Sequence, residues 1–259
     1  MPSSRTSPPV APSSVTPQGP PARWSGRIAV VLLRALACLA SAGVTAASPD
    51  AGDASGFAPL FPHDGPPAGW TVRSWNDVSH PAPPSARWIV ADAVLQGSNP
   101  RGTWLISPSD FGDFVLEFEF RLGERGHAGV GLRFPMRGDP AAEGLVIPMV
   151  DPRYYPTNHT PQPRDTTGAL LGAVAPSADA YLPLQWNRYS IRCQGSRVSV
   201  TLNGKQVVDL DLSKPTDDPE PARGKPLAER PVRGRIGFLE VSRGSARVEL
   251  RNARIRALR

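Results

Sequence analysis

Alternation of apolar and polar residues dominates the middle of the chain. From Phe114 to Leu122 every second residue is apolar, and the alternation resumes from Val130 to Phe134 after a short polar break that contains two glycines. A period of two is typical of a strand with one buried and one exposed face. The pattern therefore predicts a long β-hairpin whose apolar face needs a second layer packed against it.

Short apolar segments of strand length recur on both sides of this pair, and none has the pattern of a three-turn amphipathic helix. Asn203-Gly204 is a strong hairpin signal, because both residues tolerate the positive φ angles of a tight turn. A shift in the apolar phase near Asn252 predicts a bulge. Around twelve strands favour an all-β, two-sheet antiparallel sandwich. The other predicted strands are Phe57–Phe61, Gly69–Val72, Trp88–Val90, Ala93–Leu95, Thr103–Ile106, Leu145–Val150, Ala169–Val174, Tyr189–Cys193, Val198–Leu202, 206–212, Arg235–Val241 and Arg247–Ile255.

The basic charge of the chain is concentrated at its beginning. Residues 1–47 hold four arginines and no acidic residue, so the formal charge of +6 leaves only 25 basic against 23 acidic residues, a net +2, in the remainder. That balance gives no reason to expect a nucleic-acid partner. Arg23 and Arg27 precede an apolar run, Ile28–Ala40, and a small-residue stretch that ends at Ala47. This order predicts an export signal over 1–47 and a periplasmic or extracellular protein without a stable membrane span.

The chain has too few cysteines and histidines to suggest a fold held together by disulfides or by a metal ion. A lipid anchor on Cys38 is the less favoured alternative, because the residues before it fit a lipobox poorly. Once the predicted signal is removed only Cys193 remains, so no disulfide within the chain is possible and Cys193 is expected to be buried. No His/Cys cluster has metal-ligand spacing and no calcium loop is evident, so neither metal nor cofactor is expected.

Several short motifs stand out along roughly residues 55–259. They are Phe57–Phe61 with Gly69-Trp70, Asp110–Phe114 with the following Leu-Glu-Phe-Glu-Phe-Arg, Thr167–Leu170, Ala175–Ala180, Trp186-Asn187, Asn203-Gly204 and Arg251-Asn252. In order and spacing these landmarks together resemble one family, the 3-keto-disaccharide hydrolase domain.

The resemblance implies a concanavalin-A-like jelly-roll sandwich over 57–259, joined by a linker at 48–56 to the predicted signal. It also implies a carbohydrate substrate: an exported hydrolase or lyase would cleave the glycosidic bond of 3-keto-glycosides. The alternative is a sugar-binding module that keeps the sandwich and has lost the chemistry.

Five positions depart from the family pattern. Where the family has Asn-Ser-Gly, a Glu, a Gln and a Tyr, this chain has His127-Ala128-Gly129, Val146, Pro148 and Leu171. Apolar residues thus replace polar side chains expected on the exposed face of the sheet.

The candidate catalytic residues are Asp151 and His127. Asp151 keeps the family's residue and could serve as a base or hold a sugar hydroxyl, although an Asp-Pro turn is an equal reading. His127 stands at a strand mouth, where it is either an acid–base group or an exposed turn residue.

The candidate substrate-binding residues are Arg133, Glu119, Tyr154 and His159. Arg133 faces the exposed side by phase and could hold an enolate oxygen, or pair with a glutamate on a neighbouring strand. Glu119 and Glu117 lie roughly 7 Å apart on one face, which suits paired carboxylates, although a solvated face is the simpler reading. Tyr154 and His159 belong to the long Pro-rich loop 151–166 and could contact a sugar ring, or only pack the loop.

Overall fold

The computed structural model describes residues 56–215 and 224–259, which form two antiparallel sheets packed face to face. The predicted export signal and residues 48–55 of the predicted linker lie outside the described residues. The strands are β1 (Ala58–Pro59), β2 (Thr71–Ser74), β3 (Ile89–Ala91), β4 (Val94–Gln96), β5 (Thr103–Ile106), β6 (Phe114–Leu122), β7 (His127–Phe134), β8 (Leu145–Val150), β9 (Asn187–Gln194), β10 (Arg197–Leu202), β11 (Lys205–Asp211), β12 (Arg235–Glu240) and β13 (Val248–Ala257).

The larger sheet has the order β11-β10-β9-β6-β13-β4-β3, with β1 paired to β13, and the smaller sheet has the order β2-β5-β12-β7-β8. The prediction of a β6–β7 hairpin is wrong, because β6 pairs with β9 and β13 while β7 pairs with β12 and β8. The short loop 123–126 instead carries the chain from one sheet to the other. The predicted all-β sandwich is confirmed.

The main core lies between the sheets and follows the alternation seen in the sequence. Phe118 and Phe120 of β6 point inward with Val130 of β7, and all three side chains are buried. Tyr189 stacks on Phe120 with ring centroids 4.9 Å apart. Cys193 is buried in the same cluster, as predicted.

A bulge near the end of β7 changes which way its last residues face. Arg133 has a φ of 54°, and the register between β7 and β12 shifts beside it. The predicted common face for Leu132 and Phe134 is therefore wrong: Leu132 joins the main core, and Phe134 turns to the outer side of the smaller sheet. Arg133 itself becomes fully buried.

The outer side of the smaller sheet is covered by the protein's own apolar side chains. We call this cluster the sealed face; it comprises Val78, Trp104, Ile106, Phe134 and Val146. All five are at most 3% exposed, so no ligand can lie directly on them.

The sealed face is closed by two loops. The backbone N–H of Val78 donates to the carbonyl of Gly138 at 2.9 Å, and the indole N–H of Trp104 donates to the carbonyl of Trp75 at 2.9 Å. These bonds hold the loop after β2 and the segment before the short helix Pro140–Glu143 over the sheet.

Most strand predictions are confirmed, including the bulge at Asn252, which has a φ of 53°. Ala169–Val174 is wrong as a strand: the segment turns, with a single bridge between Leu170 and Val174. Every helix in the described ranges falls short of the length and hydrophobicity that a membrane crossing requires.

Candidate functional site

The long loop after β8 begins with a buried carboxylate. Asp151 is the N-cap of a 3-10 helix, Pro152–Tyr154, and its side chain is completely shielded from solvent. It accepts hydrogen bonds from the Arg153 backbone N–H at 3.0 Å, from Arg153 Nε at 2.8 Å and from Arg153 Nη2 at 2.7 Å. The backbone N–H of Arg125 adds a longer bond at 3.4 Å.

These bonds determine the charge state of Asp151. Burial alone would raise the pKa of its carboxyl, but the bonds from Arg153 and Arg125 more than offset this and hold the pKa below its usual range. The carboxylate is therefore ionised and engaged as a cap and ion-pair partner. Its geometry favours the turn reading over a free base.

His127 opens β7 and pairs in register with Val150, which places it beside the start of the same loop. Its ring meets the ring of Tyr154 edge-to-face at 4.4 Å. The Nδ1 atom is buried and has no hydrogen-bond partner among the described residues. Burial, with a smaller effect of the positive charges of Arg101 and Arg243, lowers the pKa of His127 to about 4, so the imidazole is neutral at pH 7.

The rings of the loop continue from His127 as a chain of contacts. Tyr154 meets Tyr155 at 5.5 Å, and Tyr155 stacks on His159 at 5.3 Å. The guanidinium of Arg243, from the turn after β12, lies 4.5 Å from the centre of the Tyr154 ring. This cation–π contact fixes one face of Tyr154.

Beside these rings lies a cavity of about 680 Å³, which we call the loop cleft. Aromatic rings that present flat apolar faces, together with guanidinium groups that donate hydrogen bonds, suit a polar ligand with ring faces and many oxygens. Its principal lining residues are Arg125, Arg153, Tyr154, Tyr155, His159 and Arg243.

Four of the six candidates named from the sequence thus lie together: Asp151, His127, Tyr154 and His159. Arg133 does not join them, because it lies at the other end of β7, roughly 20 Å along the strand. Its exposed placement is wrong, since the bulge buries it. It donates to the carbonyls of Gly112 at 2.8 Å and Gly195 at 2.7 Å and to Asp113 at 3.0 Å.

Glu119 lies on the outer side of the larger sheet, away from the loop cleft. Arg251 donates to it at 2.7 Å and Asn252 at 3.2 Å. Burial would raise the pKa of Glu119, but these bonds lower it overall. Its neighbour Glu117 is likewise paired with Arg188 and Arg254, each at 2.9 Å. Both glutamates belong to a network of ion pairs, which matches the solvated-face reading.

Sequence reasoning missed the arginines of the loop cleft. Arg153 follows Asp151 by two residues, so the Asp-Pro-Arg order could have indicated the ion pair. Arg243 is distant in sequence, and only the β12–β13 turn brings it to Tyr154. In the described ranges no group of three or more His, Cys, Asp or Glu residues is arranged to hold a metal ion.

Comparison with known proteins identifies the family to which the chain belongs. The model of the 3-keto-alpha-glucoside-1,2-lyase-like domain matches residues 56–256. No functionally curated protein matches the sequence.

Two solved structures from Parabacteroides distasonis ATCC 8503, both assigned provisionally as glycosyl hydrolases, are similar to the chain. One has 24% identity and a TM-score of 0.63 and covers 78% of this chain and 99% of its own. The other has 17% identity and a TM-score of 0.63 and covers 80% of this chain and 95% of its own. At these identities the likeness establishes the fold, a glycosyl-hydrolase-like β-sandwich.

Proposed function

Since the chain belongs to the 3-keto-alpha-glucoside-1,2-lyase-like domain family, we propose that it cleaves the glycosidic bond of a sugar oxidised to a ketone at carbon 3. The sugar would bind in the loop cleft. The observation that carries this proposal is the buried Nδ1 of His127, a neutral base without a partner among the described residues. Its ring packs against Tyr154, which lines the loop cleft together with three arginines.

The chemistry requires a base and a stabiliser of negative charge. The C3 ketone acidifies the hydrogen on C2; a base removes it, and the electron pair forms an enolate on the C3 oxygen. The enolate then expels the C1 oxygen, which takes up a proton and leaves as an alcohol while a C1–C2 double bond forms. Addition of water across that bond gives the free 3-keto sugar, so the net reaction is hydrolysis.

In this proposal His127 accepts the C2 proton after the substrate displaces the ring of Tyr154. Arg243 and Arg125 stabilise the enolate oxygen, since fixed positive groups act most strongly where charge develops. Asp151 and Arg153 hold the loop in position. Asp151 is thus a positioning residue here.

The direct test is release of the C1-linked alcohol from chemically oxidised 3-keto-disaccharides by the purified chain. We expect turnover by the wild type and a loss of kcat of about 100-fold or more in His127→Gln, the range for removal of an acid–base group. Glu119→Gln, on the other sheet, is the matched control and keeps wild-type kcat. Absence of turnover in the wild type would contradict the proposal.

The variant Asp151→Asn distinguishes a catalytic role of Asp151 from a structural one. We expect it to lower the free energy of unfolding by about 1–3 kcal/mol, because the amide cannot replace both charge-assisted bonds from Arg153. Full loss of turnover with an unchanged Tm would instead make Asp151 a catalytic group.

The sealed face favours a second candidate, a carbohydrate-binding module without chemistry. Val146 and Leu171 stand where the family pattern has polar residues, and in this chain they pack with the apolar cluster. For this candidate, isothermal titration calorimetry would detect binding of the oxidised disaccharide, and no alcohol would be released.

We also propose that the protein is exported, on the strength of the signal-like order of residues 23–47. Mass spectrometry of the protein recovered from its native host would then show an N-terminus near Ala47. A retained Met1 in the cytoplasmic fraction would contradict this.

A further inference from the structure

A second pocket of about 370 Å³ lies against the loop cleft, and no role has been assigned to it above. We call it the apolar pocket. Its walls are mainly proline rings and aliphatic or aromatic carbon from the loop after β8 and from the segment before β9. The lining residues that matter here are Val150, Pro152, Tyr155, Pro163, Pro176 and Tyr181.

The pocket and the loop cleft share two walls, Pro152 and Tyr155. A molecule bound across this ridge would place a polar part beside the arginines and an apolar part among the prolines. The volume lies within the roughly 300–1,000 Å³ of small-molecule pockets. It also exceeds the roughly 150 Å³ cavity that admits a benzene ring.

Tyr181 supplies the polar feature of this pocket. Its hydroxyl is buried and has no hydrogen-bond partner in the described parts of the chain. Its ring lies parallel to Phe120 at 6.2 Å, which fixes the direction of the hydroxyl. Burial, with a smaller contribution from Asp151, raises the pKa of Tyr181, so the group remains a hydrogen-bond donor. A buried donor without an acceptor costs free energy, which a ligand oxygen would recover.

The other hydroxyls of the pocket already have acceptors. Thr167 Oγ1 donates to the carbonyl of Val150 at 2.9 Å and accepts from its N–H at 2.8 Å. The hydroxyl of Tyr155 donates to the carbonyl of Asp165 at 3.4 Å. The hydroxyl of Tyr181 is therefore the one that a ligand would satisfy.

We propose that the apolar pocket holds an aromatic aglycone, whose C1-linked oxygen accepts a hydrogen bond from Tyr181. The substrates would thus be aryl glycosides. This inference rests on the proposed function, because it assigns the leaving group of the same reaction. A flat ring suits the proline and tyrosine faces of the pocket, and its linking oxygen suits the Tyr181 hydroxyl, which has no partner among the described residues.

The test compares two unoxidised probes that share a sugar, phenyl α-D-glucoside and methyl α-D-glucoside. Calorimetric titration of the full chain is expected to give at least tenfold tighter binding of the phenyl glycoside. Tyr181→Phe should weaken the binding of both probes about fivefold, the value of one ordinary hydrogen bond, because each carries a C1-linked oxygen, and should leave the preference for the phenyl glycoside in place.

Tyr189→Phe is the matched control. The Tyr189 hydroxyl is buried in the core and donates to the carbonyl of Pro148 at 3.0 Å. Its removal should lower the Tm without weakening the binding of either probe. Tyr181→Phe should leave the Tm unchanged or raised, since it removes a donor without an acceptor.

Equal binding of the two probes would overturn the assignment of the pocket, and so would an unchanged affinity for both probes in Tyr181→Phe. Turnover of the 3-keto forms is measured separately. A phenyl preference in the wild type, with both probes weakened in Tyr181→Phe and without any turnover, would support the pocket and reject the proposed function. Turnover without a phenyl preference would support the proposed function and reject the role of the apolar pocket.

Discussion

His127 shows how one residue can connect the site to the stability of the fold. Its imidazole is largely enclosed by Tyr154 and by the turn that carries Arg243, and its backbone N–H donates to Ser242 Oγ at 2.9 Å. Burial of the ring disfavours the charged form, and the neighbouring arginines add to the effect. The protonated imidazole is therefore much less stable in the folded chain than in the unfolded chain.

We predict that acid weakens the fold through His127. The pKa is about 4 in the folded state against 6.5 in the ordinary state, so the unfolded chain binds the proton first as pH falls. The contribution is fully present above pH 6.5 and is lost as pH falls toward 4, by about 1.4 kcal/mol per pH unit and roughly 3 kcal/mol in total. Urea unfolding at pH 7, 6 and 5 measures it.

His127→Gln should flatten this part of the pH dependence, whereas His159→Gln, at an exposed position, should not. The same slope in both variants would contradict the assignment.

The sequence alone predicted which loop carries the candidate site, but it did not predict the contacts that its charged side chains make. The Pro-rich loop and its rings were visible in the sequence, because prolines and aromatics in a long loop are unusual. The ion pair between Asp151 and Arg153 forms because a 3-10 turn brings the two side chains together. The burial of Arg133 depends on a left-handed residue that alternation cannot reveal.

At the scale of the strand, β7 is shaped by its glycines and its bulge. A Cβ on Gly131 would lie 2.8 Å from Phe134 Cε1 and 3.0 Å from Trp104 Cζ3. Gly131 thus makes room for these two rings of the protein itself, and the bulge at Arg133 turns Phe134 to that side.

We expect Gly131→Ala to lower the free energy of unfolding by about 1–3 kcal/mol, the range for inserting a methyl group into a filled core. Gly123→Ala is the control, because its Cβ would come no closer than 3.4 Å to Ala246 Cβ. Thermal denaturation of both variants checks this. Equal Tm values would show that the sealed face is loosely packed.

Alternation and turn chemistry predicted most strands, because each depends on neighbours in sequence. The Asn203-Gly204 turn joins β10 and β11 with positive φ at both residues. Which strands pair with one another was harder to predict. The loop 123–126 reads like a hairpin turn but links two sheets, since the apolar faces of β6 and β7 satisfy one another across the core rather than side by side.

For the whole molecule, the sealed face is the main departure from the family pattern. Val146 and Leu171, at positions where the resemblance implies polar side chains, pack in a second apolar cluster that is closed by loops hydrogen-bonded over it. A site on the smaller sheet therefore has to lie at its rim, where the loop cleft and the apolar pocket are found.

We predict that an acidic residue introduced into the sealed face destabilises the fold and does not raise activity. Val146→Glu should lower the free energy of unfolding by about 3–5 kcal/mol, because it buries an uncompensated charge, and should not increase turnover. Val232→Glu, at a side chain 57% exposed, should stay within about 0.5 kcal/mol of the wild type. Guanidinium unfolding compares them. A folded, more active Val146→Glu would show that the face opens.

Cys193 has a practical consequence for measuring this molecule. Its thiol lies on β9 between β6 and β10, and burial raises its pKa to about 12. An alkylating reagent can reach the sulfur only after the central strands separate. In a chain that starts at Ser48, this sulfur is the single thiol, so its rate of modification would time complete opening in plain buffer, with no denaturant and no introduced label.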